Sequence, residues 1–202
     1  MKFAEHSVND LLAAFRAPEP TPGGGSAAAL AGAMGASLLA MVAGLPKSKA
    51  ATGEDAERLK AAGARCTGLA QTLAGLIDRD SEAYGLVMAA YKRPKGTDEE
   101  KAARSAAIQQ AFRAAIEAPL DVMRACAAAA EQGVVIAGLG NPSAASDGQV
   151  GFELLGAALR GAKMNVETNL DSVKDAGYVA AVRKEVEEFE RAIAHETSAA
   201  RG

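Results

Sequence analysis

Apolar positions recur along nearly the whole chain at intervals of three, four and seven, the periodicity of helices that bury one face. A short first helix is predicted from Ser7 to about Phe15, with Ser7 as its cap and Asp10 at the third helical position. The stretch Ala17–Gly25 (APEPTPGGG) ends it with three prolines and three glycines. The second helix is expected from about Ser26 to Leu45. One of its stripes carries Leu30, Met34, Leu38, Met41 and Leu45 and reads as core. Another, at four-residue spacing, carries Ala28, Gly32, Ala36, Ala40 and Gly44, small enough for a neighbouring helix to come close.

Thr52, with Asp55 at the reciprocal position, caps a long third helix reaching about Tyr91. Its seam reads Leu59, Cys66, Leu69, Leu73, Leu76, Asp80, Tyr84, Val87 and Tyr91, nearly heptad in spacing. After a polar turn, Lys92–Asp98, the pair Thr97 and Glu100 forms a capping box for the fourth helix. Ile108, Phe112, Ala115, Pro119, Val122 and Cys126 make its stripe, and Pro119 is expected to kink it. Gly133–Gly148 reads as a glycine-rich break, with VVIAGL a helical continuation or a loop. The fifth helix spans about Gln149–Leu170 and the sixth about Asp171–Ala199, the last with Val179, Val182, Val186, Phe189 and Ile193 inward. Together these elements imply one domain over residues 1–202, an all-α antiparallel bundle of about six helices.

Composition narrows the class. The chain has 49 alanines, five phenylalanines, three tyrosines and no tryptophan, which favours helices and argues against a β-sandwich or barrel. Its 21 glycines are unexpected in a helical chain. A net charge of −3 leaves no basic stripe for nucleic acid. Ala27–Leu45 is uncharged and as long as a membrane span. It is nevertheless rich in Ala and Gly, without an aromatic belt, and reads as a buried core helix rather than a membrane segment. Cys66 and Cys126 fall in helices and suit free thiols in a reducing compartment. The start, MKFAEHSVND, lacks an apolar leader, so a cytoplasmic location is expected.

Few residues carry candidate chemistry. Gly23, Gly24, Gly25 and Ser26 open a helix, where free N–H groups hold an anion or polar ligand, or simply form a tight turn. A dinucleotide fingerprint would need a preceding strand and a P-loop would need its lysine, and neither is present. Asp80 occupies an apolar seam, which marks either a buried ion pair or a site residue. Asp78 lies about 200° away around the helix, so the two carboxylates need not act together. Asn165 and Asn169, one turn apart on an alanine-lined face, suit either a planar heterocycle or interhelical hydrogen bonds. Asn141, Ser146 and Asp147 read as caps. His6 and His195 are expected at the surface, and no spacing suggests a metal site or a covalent nucleophile.

Three segments carry a family resemblance: TPGGGSAAALAGAMGASLLAMVAGL at 21–45, IDRDSEAYGLVMAAYKRPKGTDEEKAARSAAIQQAF at 77–112 and SDGQVGFELLGAALRGAKMNVETNL at 146–170. In them the chain resembles the cyclodeaminase/cyclohydrolase family of one-carbon folate enzymes, over nearly its whole length. The resemblance implies an all-α homodimer that acts on a tetrahydrofolate derivative and needs no prosthetic group. The activity it implies first is reversible hydrolysis of 5,10-methenyltetrahydrofolate to 10-formyltetrahydrofolate. The alternative is release of ammonia from 5-formiminotetrahydrofolate, and the absence of a formimidoyltransferase domain favours hydrolysis modestly. A non-catalytic helical dimer or adaptor is the competing class. Asp80 is the first candidate for proton transfer and Asp147 the second. Gly23, Gly24, Gly25 and Ser26 would bring backbone N–H groups to the substrate, Asn165 and Asn169 would read the pterin edge, and Asn141 is a further substrate-binding candidate. Members often carry a lysine-rich stretch after the second helix. Here it is PKSKAATG, whose Lys47 and Lys49 would attract the glutamate carboxylates.

Overall fold

The computed structural model describes residues 2–50 and 52–200. Six α-helices follow one another: α1 (Val8–Arg16), α2 (Gly24–Gly44), α3 (Gly53–Tyr91), α4 (Asp98–Leu139), α5 (Ala145–Leu170) and α6 (Ala176–Ala199). Among the described residues there is no strand. Local capping chemistry sets the helix starts. Ser7 accepts from the Asp10 N–H, Thr52 from Asp55, and Thr97 with Glu100 closes a complete capping box.

α2 packs between α3 and α5, α4 closes the far side against both, and α6 lies on α4. Glycine makes these approaches possible. A Cβ on Gly35 would lie 2.7 Å from the Gly151 carbonyl, and one on Gly63 would lie 2.8 Å from the Ala43 Cβ. The core runs from Leu39 and Val42 of α2 through Leu73, Ile116, Met123, Leu155 and Leu159 to Val182 and Val186. Each such side chain contributes on the order of 1.5–3 kcal/mol by leaving water.

The two stripes of α2 are reversed in importance. Gly32, Ala36 and their small neighbours are buried, whereas Met34 and Met41 are 46% and 40% exposed. A helix enclosed on three sides meets neighbouring backbones, so it places small residues inward and leaves its bulky face outside. The predicted glycine-rich break is also absent over most of its length. α4 continues to Leu139, because a Cβ on Gly133 would come 2.6 Å from the Phe152 ring. There, too, glycine serves packing. α5 begins four residues earlier than expected, at Ala145, and α6 five later, at Ala176.

Pro119 sits within an unbroken α4. It has no N–H to offer the Ala115 carbonyl one turn back. Asn169 of α5 supplies the missing donor, its Nδ2 lying 2.9 Å from that oxygen. α6 is fastened by ion pairs, with Arg124 bridging Glu117, Asp121 and Glu185, and Lys163 holding Glu190. These pairs are partly exposed and contribute modestly. Cys66 and Cys126 are free and buried, and burial pushes their thiols up to about 11 and about 12. His195 is exposed, as expected. His6 instead is half-buried against Phe3, with ring centroids 5.5 Å apart.

Candidate active site

α2 starts without a side-chain cap, because Gly23 stands at its N-cap position. The acceptor comes from α3. Asp80 Oδ2 accepts from the Ser26 N–H at 3.0 Å and from Ser26 Oγ at 3.2 Å. Ser26 is fully buried, and its single O–H is shared between Asp80 Oδ2 and the Ile77 carbonyl, which lies closer, 2.7 Å from Oγ. The other carboxylate oxygen, Oδ1, has no hydrogen-bond partner among the described residues and rests over Gly25. A Cβ there would be 2.0 Å from Oδ1. Glycine is therefore required at 25 by the approach of a carboxylate and not by backbone angle. Asp80 is half-buried, and burial raises its carboxyl above the ordinary range, with the two Ser26 bonds opposing the rise. One oxygen is anchored and one is free, on a group with increased affinity for a proton. That is the arrangement a general base requires.

Asn165 approaches the same helix start from α5. A Cβ on Gly24 would lie 3.6 Å from its Nδ2, which donates to the Gly161 carbonyl at 2.9 Å. Asn169 stands one turn further along α5, with its amide N–H committed to Ala115. Gly23, Gly24, Gly25, Ser26, Asp80, Asn165 and Asn169 thus gather at one end of the bundle. Asp78 takes a separate role and accepts from the backbone N–H groups of Phe3 and Ala4.

The other candidates lie at the opposite end. Because α5 runs antiparallel to α2, Asp147 in its first turn is about 27 Å along the helix from Asn165. It is exposed and joins neither Asp80 nor the amides. Asn141 caps a short 3-10 turn, accepting from Ser143 N–H and donating to the Pro46 carbonyl. Lys49 hydrogen-bonds through its backbone to Leu139, and Lys47 precedes it in the same connection. The cavity beside Lys49 and Asn141 measures about 110 Å³. That is well below the roughly 300 Å³ from which small-molecule pockets begin. Motif membership grouped these residues with Asp80, and the antiparallel topology separates them.

One feature escaped the sequence reading. Beyond the start of α2, α3 and α4 continue as a paired extension with its own small core of Ala83, Val87, Ala90, Ala111, Ala115 and Ala118. An open groove of about 500 Å³ lies where this extension meets the α5–α6 turn. Lys95, Lys101, Arg104 and Lys174 line it. In sequence these residues are split among a polar turn, the first turns of α4 and a distant connection, so only the fold brings them together.

An enclosed small-residue helix, capped in trans by a carboxylate with one free oxygen and flanked by two amides, defines an all-helical bundle with a half-buried carboxylate at one end. The formiminotransferase-cyclodeaminase family matches residues 7–188, and the chain belongs to that family. It is 40% identical over 181 residues to a methenyltetrahydrofolate cyclohydrolase of Methylorubrum extorquens, covering 90% of this chain and 87% of that one. It is 34% identical over 169 residues to a formimidoyltransferase-cyclodeaminase of Sus scrofa, covering 82% of this chain and 30% of the pig protein. Among solved structures, a formiminotetrahydrofolate cyclodeaminase from Thermotoga maritima superposes with a TM-score of 0.86 at 27% identity. The match covers 98% of this chain and 94% of that one.

Proposed function

We propose that this chain hydrolyses 5,10-methenyltetrahydrofolate to 10-formyltetrahydrofolate, with Asp80 as the proton-transfer group. The observation that carries this reading is the Asp80 carboxylate itself, held by Ser26 through Oδ2 and free at Oδ1 above Gly25. The bridging carbon of the substrate is an electrophilic amidinium centre. Water forms the new C–O bond while Oδ1 accepts one of its protons. The tetrahedral adduct then opens at the C–N5 bond, N5 keeps the electron pair and takes a proton, and one proton leaves to solvent overall. Asn165, beside Gly24, faces the heterocycle with its amide oxygen, and the first N–H groups of α2 favour negative charge developing on oxygen. Similarity over most of its length to a protein named as the cyclohydrolase supports this choice.

The superposition on a formiminotetrahydrofolate cyclodeaminase favours a second reaction at the same place. There N10 attacks the formimino carbon, and the Asp80 carboxyl protonates the departing ammonia. Purified protein assayed on both substrates tests the pair, through loss of methenyl absorbance and through ammonia release. Methenyl loss at the buffer rate would remove the hydrolase reading. Ammonia release without faster methenyl loss would replace it with the second reaction.

A homodimer belongs to the same proposal. α2 leaves Met34 and Met41 exposed, and α5, packed beside it, leaves Val150 and Met164 exposed. Exposed apolar side chains shared by two packed helices fit a second copy.

A further inference from the structure

Asp80, Tyr84 and Tyr91 fall within about 40° of one another around α3. One face of that helix therefore leads from the carboxylate outward along the α3–α4 extension to the open groove. Arg104 anchors the groove's inner wall. Its Nε donates to the Tyr91 carbonyl at 3.1 Å, and its guanidinium carbon lies 5.5 Å from the Tyr91 ring centroid. Gln109 ties the opposite wall in place, with Nε2 donating to the Ser172 carbonyl and Oε1 accepting from the Lys174 N–H. That clamp holds Lys174 against the extension.

The groove is lined by four cations and no acid among the described residues. Of the acids that begin α4, Asp98 pairs with Lys101 at 2.8 Å, and Glu100 turns back to the N–H groups of Gly96 and Thr97. The Lys95 and Lys174 ammonium groups make no hydrogen bond or ion pair among the described residues.

We propose that this groove binds the glutamate carboxylates of a folate whose reacting carbon lies at Asp80. The inference rests on the folate reading of the site. The rise from Asp80 to Tyr91 is about 16 Å along α3, a span covered by an aminobenzoyl ring and the glutamates beyond it. The groove is open at its outer side, so a chain of several γ-linked glutamates extends past Lys174 without obstruction. Lys47 and Lys49 stand at the other end of α2 and cannot reach the same tail.

The test compares wild type, Lys95→Gln/Lys174→Gln and Lys47→Gln/Lys49→Gln. Both groove lysines are exposed, so their replacement spares the core. Thermal midpoints are measured with tetrahydropteroate, which has no glutamate, and with tetrahydrofolate carrying one or five glutamates. Wild type is expected to gain most from the pentaglutamate, by a margin that shrinks with added salt. The groove variant should lose that margin while responding to tetrahydropteroate like wild type. Its KM for methenyltetrahydrofolate pentaglutamate should rise about fivefold, with kcat within about twofold, the size expected for two exposed charge pairs. Equal margins and equal KM in wild type and groove variant would overturn the proposal, as would loss of the margin in Lys47→Gln/Lys49→Gln alone. Failure of methenyl turnover alongside a margin lost in the groove variant would sink the reaction and keep the groove. Turnover with an unchanged KM would do the reverse, and no midpoint shift with any folate would remove both.

Discussion

Gly25→Ala adds one methyl group and tests the central contact of the site. Its Cβ would lie 2.0, 2.4 and 2.8 Å from Asp80 Oδ1, Cγ and Oδ2, so the carboxyl must retreat by about 1.4 Å to reach ordinary contact. Aspartate is too short to do this and keep both Ser26 bonds. Losing two hydrogen bonds to a charged acceptor, with partial replacement by water, costs about 2–4 kcal/mol. For a domain of this size that lowers the thermal midpoint by roughly 5–15 °C. Helix propensity points the other way, since alanine is favoured over glycine by about 1 kcal/mol. The sign of the change therefore separates the two effects. Gly68→Ala is the matched control: it lies within α3 with nothing within 4 Å of the added Cβ, and should stabilise by roughly 0.5–1 kcal/mol. On activity, a displacement of about 1 Å in a reacting group costs on the order of a hundredfold in kcat. The assays are thermal unfolding by circular dichroism and methenyltetrahydrofolate decay. A Gly25→Ala protein with wild-type midpoint and kcat would refute the argument that Asp80 is both cap and base.

Asp80 also gives a signed pH prediction. Its folded carboxyl is raised above the ordinary aspartate value chiefly by burial, so its contribution to stability is fully present below that ordinary value and declines as pH rises through the folded pKa. Asp80→Asn should therefore gain stability relative to wild type between acid and neutral pH while losing turnover; a constant or narrowing difference in urea midpoints would contradict the sign. Asn169→Ala leaves the Ala115 carbonyl without its donor and should cost about 1–3 kcal/mol. In a Pro119→Ala background the backbone N–H returns, so a double-mutant cycle in urea should give a coupling of at least about 0.5 kcal/mol, and additive effects would deny the pairing. Met34→Glu/Met164→Glu places charge on the exposed α2–α5 face and should convert a dimer to a monomer in light scattering, and an unchanged mass would relocate the interface.

What was legible in the sequence was mostly local. Ser7, Thr52 and Thr97 cap helices because a hydroxyl meets an N–H three residues on, and that spacing is visible without a fold. The inward face of α6 was equally plain, since Val182, Val186 and Ile193 are buried where the period places them. Asp80 announced itself as a misfit on an apolar seam, but Ser26 and Gly25 lie 54 and 55 positions before it, and nothing in either segment names the other. The glycines misled in one direction only. Gly133 looked like loop material, yet it lies inside a helix because the Phe152 ring occupies the place of its missing side chain.

The same physics separates the candidate residues into two groups. Motif membership treats residues as a set, whereas a bundle sorts them by height along antiparallel helices. α2 and α5 pair head to tail, so the start of one meets the end of the other. Gly24 must then face Asn165, and Asp147 must stand beside the far end of α2. Any residue that acts with Asp80 has to come from late α5, from α4 near Ala115, or from the α3–α4 extension above them. Lys95, Lys101, Arg104 and Lys174 satisfy that condition, and Lys47 and Lys49 do not. Charge alone could not choose between the two sets, because both consist largely of exposed cations. Height along the bundle does choose, and it places Lys95, Lys101, Arg104 and Lys174 on the same side of the molecule as the Asp80 carboxylate.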